Sequence, residues 1–329
     1  MKLGSRILSI FLVNLVLSVS ALAGSQATYD LPEPYLGWER SYLKDYSVLQ
    51  KVMDTMVQMT NRQLKDPDQD ILHNRVCAAL VYHMAVEQGL SKEDQQLAVA
   101  GDLLHNISKE EKVAVLTKPE SLAEASQMVA RLKSAGYLAN SPRFWNDVAI
   151  YGNPKIGDNR ALIHHITGAQ MTGKLMSQSG DFSNKQIEKV EAAVLEHSTG
   201  YWYFRTSIND VLGNADAWRN VYPEPENDLA KLIHDADLIS QFVPESVAPE
   251  GSKWRLLAKN RWGAKTAADE GHTVYYVFMR LFEEAKTESG KRMAKEKWDI
   301  IAPELVKLMN LAAGTDPIKM LGVPKAFQK

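Results

Sequence analysis

Gly101-Asp102-Leu103-Leu104-His105-Asn106-Ile107-Ser108-Lys109 is the stretch on which the fold turns. Ahead of it, Ser91-Lys92-Glu93-Asp94 has the form of a capping box, in which a hydroxyl and a later carboxylate satisfy the free N–H groups of a helix start. Leu97, Val99, Ala100, Leu103 and Leu104 then carry an apolar helix. That helix ends by delivering a histidine and an amide side by side, with a lysine three residues later.

Outward from there the pattern stays helical. Tyr42, Val48, Leu49, Val52, Met53, Met56 and Met59 recur at spacings of three and four over 38–64, with breaks, and Pro67 ends that segment. A helix is expected over 70–88, with Asp70 as N-cap and Gly89 as its stop. Pro119 opens another to about 134. A short helix covers 142–151. A longer one covers 159–178 and stops at Gly180. Ser183-Asn184-Lys185-Gln186 is a second capping-box sequence, opening a helix to about His197. The aromatic loop Tyr201-Trp202-Tyr203-Phe204 follows, then helices near 208–221 and over 226–242. Pro244, Pro249 and Gly251 mark a loop, and two long helices occupy 264–287 and 290–313. No strand or internal repeat is visible. The expected class is all-α, with one domain over 35–313, an extended lead-in at 24–34 and a peripheral tail at 314–329.

Residues 1–23 read as a targeting segment. Lys2 and Arg6 form a basic start, Ile7 to Val19 an apolar run, and Ala21-Leu22-Ala23 a small-x-small cleavage pattern. The apolar run is short for a membrane span of ~20 residues. The expected location is therefore periplasmic or secreted, with cleavage near Ala23 and no membrane anchor afterwards. Loss of Lys2 and Arg6, and of no acidic residue, moves the formal charge from −2 to −4. That mild acidity argues against a nucleic-acid polymer as partner. Cys77 is the only cysteine, so no intrachain disulfide can form. It stands one turn after His73 and reads as a small buried core residue.

Histidines and carboxylates recur near helix ends. His73, His105 with Asn106, His164 with His165, and His197 lie on four different helical segments, and Asp235 and Asp237 on a fifth. Imidazole nitrogen and carboxylate oxygen suit divalent ions such as Mn, Fe, Ni, Zn or Mg. Ligands projecting from separate helices into one core are a common way to hold them. Taken singly, any of these histidines is more simply a structural residue. His83 has no partner at metal spacing, His272 reads as a surface or capping residue, and His234 as a helix-surface residue.

In this order the residues resemble the HD-domain superfamily. Leu103-Leu104-His105-Asn106-Ile107-Ser108-Lys109 is similar to LLHDIGK, with Asn for Asp and Ser for Gly. His73-Asn74-Arg75-Val76 is similar to the opening H-x-x-R-V, and Asp235-Ala236-Asp237 to the closing D-A-D. Glu196-His197-Ser198 resembles the H-S of bacterial HD hydrolases that include nucleotide pyrophosphatases. Thr287-Glu288-Ser289-Gly290-Lys291-Arg292-Met293-Ala294 resembles their late T-x-x-G-R-x-L-A helix, and His164-His165-Ile166-Thr167-Gly168-Ala169 resembles H-P-E-I-G-A. The likeness spans about 70–305. The only literal His-Asp pair, His234-Asp235, belongs by order to the closing aspartate segment.

The resemblance implies an HD-domain-like orthogonal helical bundle. It implies a divalent metal on His73, His105, Asn106 (the HD aspartate position) and Asp237, with His164 and His197 as ligands of a second ion. The chemistry would be hydrolysis of a nucleotide or other small phosphoester. Lys109 and Arg75 are the candidate phosphate-facing cations, with Arg160 one turn before His164. Asp102 shares a helix face with His105 and Asn106, as a replacement carboxylate or as a residue orienting His105. Asn106 offers a neutral oxygen where Asp offers charge. The alternative is therefore a catalytically degenerate HD domain that binds metal or a ligand without hydrolysis. A third reading, a di-iron oxygenase of the same superfamily, needs all six ligands.

Overall fold

The computed structural model describes residues 31–62, 67–109, 115–138, 149–198, 222, 224–240 and 243–328. The expected leader at 1–23, most of the expected lead-in, the aromatic run from Tyr201 to Phe204, the helix expected at 208–221 and most of 142–151 lie outside them. Among the described residues the chain is all-α, with no strand. The segment at 38–64 is two helices, α1 Tyr35–Asp45 and α2 Val48–Thr60, parted where Tyr46 leaves helical geometry at φ −136° and ψ 89°. Then come α3 Pro67–Glu87, α4 Lys92–Leu104 and α5 Pro119–Ser134. Two single turns, α6 Ala149–Gly152 and α7 Pro154–Gly157, lead into α8 Arg160–Ser179 and α9 Asn184–Leu195. α10 Asp228–Ser240 and α11 Pro244–Val247 follow. The chain closes with α12 Lys253–Trp262, α13 Ala267–Phe282, α14 Glu288–Leu308 and α15 Pro317–Leu321.

Local chemistry sets these boundaries. Ser183 caps α9 by accepting from Gln186 N–H, and the Gln186 side chain returns the bond to Ser183 N–H. Ser91 accepts from Asp94 N–H at the start of α4. α8 ends at Gly180 in the left-handed region, φ 72°. α12 occupies a stretch where no helix was expected. The tail is also less peripheral than its sequence suggests, since Phe327 packs 5.7 Å from the Trp262 ring and 5.2 Å from the Tyr276 ring.

α3 is the central helix and packs against α1, α4 and α10. Cys77, Ala78, Ala79, Leu80 and Val81 are all fully buried. Side chains such as Leu80 and Val81 each contribute ~1.5–3 kcal/mol when buried. Two apolar clusters build the molecule. One holds Leu80, Leu97, Val190 and Ile233; the other holds Trp254, Val277, Phe278 and Leu305. α10 lies on the seam, with Ile239 in the first cluster and Leu238 in the second. α14 bridges them likewise through Met293 and Leu305.

Asp235 fastens that seam. Its fully buried carboxylate accepts from Lys286 N–H at 2.8 Å, Thr287 N–H at 2.8 Å and Thr287 Oγ1 at 2.7 Å. Thr287 Oγ1 in turn accepts from Gly290 N–H and caps α14. A Cβ on Gly290 would stand 2.1 Å from Asp235 Oδ2, so the close approach needs glycine. Asp235→Ala strands two backbone N–H groups and a hydroxyl, and each buried orphan costs ~1–3 kcal/mol. Denaturant unfolding of the chelated protein should show a loss of at least ~3 kcal/mol. His234, expected at the surface, is 4 % exposed and sits with Nδ1 3.2 Å from Asp235 Oδ1. The tertiary partner Thr287 draws this whole segment inward.

Candidate metal centre

Four helix ends or faces converge beside α3. His73 comes from the middle of α3, His105 from the C-cap of α4, His197 from just past α9 and Asp237 from α10. The His73 and His105 rings lie 5.3 Å apart, His105 and His197 4.9 Å, and His197 and His164 5.1 Å. The four imidazoles thus form one continuous row through the interior. α8 approaches closely enough to contribute His164 because Gly168 meets the His105 carbonyl, where a Cβ would stand 2.6 Å from the oxygen.

Each ring is turned the same way. His105 Nδ1 lies 2.7 Å from Asp102 O, His164 Nδ1 2.9 Å from Ala161 O, and His197 Nδ1 2.5 Å from Val194 O. A carbonyl can only accept, so each Nδ1 carries the proton and each Nε2 keeps a lone pair. His73 reaches the same tautomer through Ser240. That hydroxyl donates to Asp237 O at 2.7 Å and so accepts from His73 Nδ1 at 3.1 Å. A second ring nitrogen hydrogen-bonded to a carbonyl or hydroxyl, with the other left bare, is how proteins orient imidazole toward a metal.

His105 Nε2, which accepts from Asn106 Nδ2, and the bare His73 Nε2 face Asp237. Its Oδ1 is 3.2 Å from His73 Nε2 and 3.8 Å from His105 Nε2. Burial pulls the His73 pKa down to about 4, although Asp237 pulls the other way. Burial also holds His164 well below the ordinary histidine range, helped by His197, and His197 likewise, helped by His105. Burial by itself would raise the Asp237 pKa, but His105 and His73 outweigh it and keep the carboxyl well below its usual range. At neutral pH Asp237 is therefore an ionised carboxylate, and His73, His164 and His197 are neutral. These are the protonation states a divalent ion requires.

Cys77 belongs to the same group. One ligand atom from each of His73, Cys77, His105 and Asp237 lies within 4.8 Å of every other, so the group could hold a metal ion. Cys77 Sγ is 3.8 Å from His73 Nδ1 and 3.7 Å from Nε2. Burial, then the charges of Asp102 and Asp237, raise its thiol pKa well above the ordinary value. The reading of Cys77 as a core residue is right about burial and incomplete about neighbours. The signal was in the sequence, since His73-x-x-x-Cys77 places both side chains on one helix face.

Asn106 is at the site, with its amide facing His105: Nδ2 is 2.8 Å from His105 Nε2 and donates to it. Asn106 Oδ1 is buried without a hydrogen-bond partner, as are His197 Nε2 and both oxygens of Asp102. Polar atoms left bare in a dry interior cost ~1–3 kcal/mol each. The unpartnered Asn106 Oδ1 and His197 Nε2 lie beside one cluster, and the donor set of imidazole, carboxylate and amide oxygen fits a divalent cation. Asp102 is fully buried with Oδ1 3.7 Å from His105 Nδ1, and burial and the Asp237 charge raise its pKa well above the carboxylate range. Asp102 orients His105 through its backbone carbonyl and not through its carboxyl.

The other expected residues divide. Lys109 is half-buried, and its charge lowers the pKa of both His73 and His164. Lys253, which the sequence reading passed over, joins it from the start of α12. Lys253 is exposed by surface area, yet protein packed around its ammonium, and the charge of Lys109, lower its pKa to about 8. Arg75 turns away from the centre. Its Nε and a terminal nitrogen grip both oxygens of buried Glu39 at 2.8 and 2.6 Å, tying α3 to α1. A bidentate pair of this kind commits the guanidinium, which corrects the expectation that Arg75 faces a substrate phosphate. His83 stacks on Trp38 at 4.1 Å, and His272 Nε2 lies 2.9 Å from Gly322 O. No family model, curated protein or solved structure matches this chain.

Proposed function

We propose that the chain is an exported HD-type phosphohydrolase that depends on a divalent metal and acts on a nucleotide or another small phosphoester. The observation that carries the reading is the row of imidazoles whose Nδ1 atoms are all tied down, facing an ionised Asp237. His73, His105 and Asp237 would hold one ion, and His197 with His164 extends the donor set toward a second. Such an ion, whether Mn, Fe, Ni, Zn or Mg, supplies Lewis acidity at a phosphoryl oxygen and lowers the pKa of water toward neutrality.

The remaining work belongs to the chain. Lys109 and Lys253 add two positive charges near the cluster, Lys109 acting on His73 and His164 and Lys253 on Asp237, where a substrate phosphate needs neutralising. Asp102 holds His105 in its tautomer through the backbone carbonyl. The burial of all four histidines but His73 keeps bulk water from competing for the donors.

A second reading has its own observation. Asn106 gives its N–H to the His105 lone pair and brings no charge, which favours a domain that binds metal or ligand and does not hydrolyse. One experiment separates them. Protein purified without chelators is assayed for bound metal and for phosphate release from nucleoside phosphates and phenyl phosphate esters. The expected result is stoichiometric metal and hydrolysis that stops on chelation and returns when the ion is restored. Stoichiometric metal without hydrolysis selects the second reading, and a chain that takes up no metal removes the first and the metal-binding form of the second.

A further inference from the structure

We propose that Cys77 is a direct thiolate ligand of the centre, and that the site therefore takes a thiophilic ion of the zinc class in preference to Mg²⁺ or Mn²⁺. This rests on the metal reading above and goes beyond it in naming the ligand that sets the ion's identity. The first support is register. Cys77 follows His73 by four residues on α3, so both project from one face toward α4 and α10. The same i, i+4 spacing lets two histidines on a single helix share a zinc ion.

Distances are the second support. Zinc bonds of ~2.0–2.1 Å to nitrogen or oxygen and ~2.3 Å to sulfur give tetrahedral edges of ~3.3–3.6 Å. The edges found here are 3.2 Å for His73 Nε2 to Asp237 Oδ1, 3.7 Å for Cys77 Sγ to His73 Nε2 and 3.8 Å for His105 Nε2 to Asp237 Oδ1. No ligand atom of the four is more than 4.8 Å from another. Closing the set around one ion takes an adjustment of roughly 1 Å in the widest pair and release of His105 Nε2 from the Asn106 N–H.

Charge is the third. Asn106 contributes none, and its buried Oδ1 stands without a partner beside the cluster. With Asp237 alone, a divalent ion leaves a net positive charge in a dry interior, which is costly. A Cys77 thiolate makes the centre neutral. On binding, the S–H bond breaks, its proton passes to solvent, and the sulfur lone pair forms the bond to the ion, with no change in oxidation state. Thiolate softness then selects the ion: imidazole and thiolate together suit Zn²⁺ and Co²⁺, whereas Mg²⁺ and Mn²⁺ prefer all-oxygen sets.

The test is Co²⁺ titration of the full chain after chelator treatment, followed by absorption. Wild type should show the visible d–d bands of bound Co²⁺ together with a near-ultraviolet thiolate-to-cobalt charge-transfer band. Cys77→Ser should keep the d–d bands and lose the charge-transfer band. In the same variant Zn²⁺ affinity should drop more than ~10-fold, with Mn²⁺ affinity little changed. Wild-type d–d bands without the charge-transfer band would overturn the proposal while leaving the metal reading intact. An absence of any Co²⁺ uptake by the wild type would overturn both. The wild-type spectrum decides the matter even where the variant folds poorly.

Discussion

Asp237→Ala is expected to fold and to lose its metal. The carboxylate oxygen faces two imidazole lone pairs, 3.2 Å from His73 and 3.8 Å from His105. Removing it leaves neutral rings whose Nδ1 atoms keep their own partners, Ser240 and the Asp102 carbonyl. The variant gives up the attraction between that carboxylate and the two rings, so unfolding of the chelated variant should show a loss of no more than ~1–3 kcal/mol relative to the chelated parent. Metal binding should fall by more than the ~10–100-fold that loss of a supporting residue costs. An ion at 100 times its dissociation constant adds ~2.7 kcal/mol to the stability of the folded state. The parent should gain that increment and Asp237→Ala should not. Two residues earlier, Asp235→Ala should behave in the opposite way, losing stability with or without chelator. If Asp237→Ala retains stoichiometric metal, the centre has been placed wrongly. Phosphate release, where the parent shows it, should vanish with the ion.

The contrast between these aspartates shows what the sequence could and could not say. Their order in Asp235-Ala236-Asp237 marks the segment, and the second one does lie among the histidines. The role of the first depends on Lys286 and Thr287, about fifty residues away, and no local pattern announces that pairing. The same limit explains Arg75, whose partner Glu39 lies on α1, and the burial of His234. Helix ends were legible because their causes are short-range: Ser183 with Gln186, and Gly180 at positive φ. α12 was missed because it is charged, follows two prolines, and has a Ser252 N-cap that makes no side-chain cap bond. Its stability comes from Trp254 and Trp262 packing into the second apolar cluster, a tertiary effect. The histidine order was enough to suggest one pocket. The ring orientations, and the sulfur beside them, needed three dimensions.

Asn106→Asp should trade stability without metal for affinity with it. In the chelated protein the new carboxyl would enter a 4 % exposed position beside Asp102 and Asp237. It would also replace the amide N–H that now donates to His105 Nε2. Like charges and desolvation both oppose a third buried carboxylate, at a cost of ~1–3 kcal/mol. With an ion present the sign reverses, because the added charge is attracted to it; a tenfold gain in affinity corresponds to ~1.4 kcal/mol. The variant should therefore melt lower than the parent in chelator and show a larger rise on adding metal. Where the parent releases no phosphate, its appearance in Asn106→Asp marks the natural chain as a degenerate phosphohydrolase. Where the parent is active and the variant less so, Asn106 is adapted to its own chemistry. The gain should be greatest in a Cys77→Ser background. Both changes act on one charge balance, so their effects on metal affinity should be coupled rather than additive. A smaller metal-induced stabilisation in Asn106→Asp than in the parent would show that Asn106 does not face the ion.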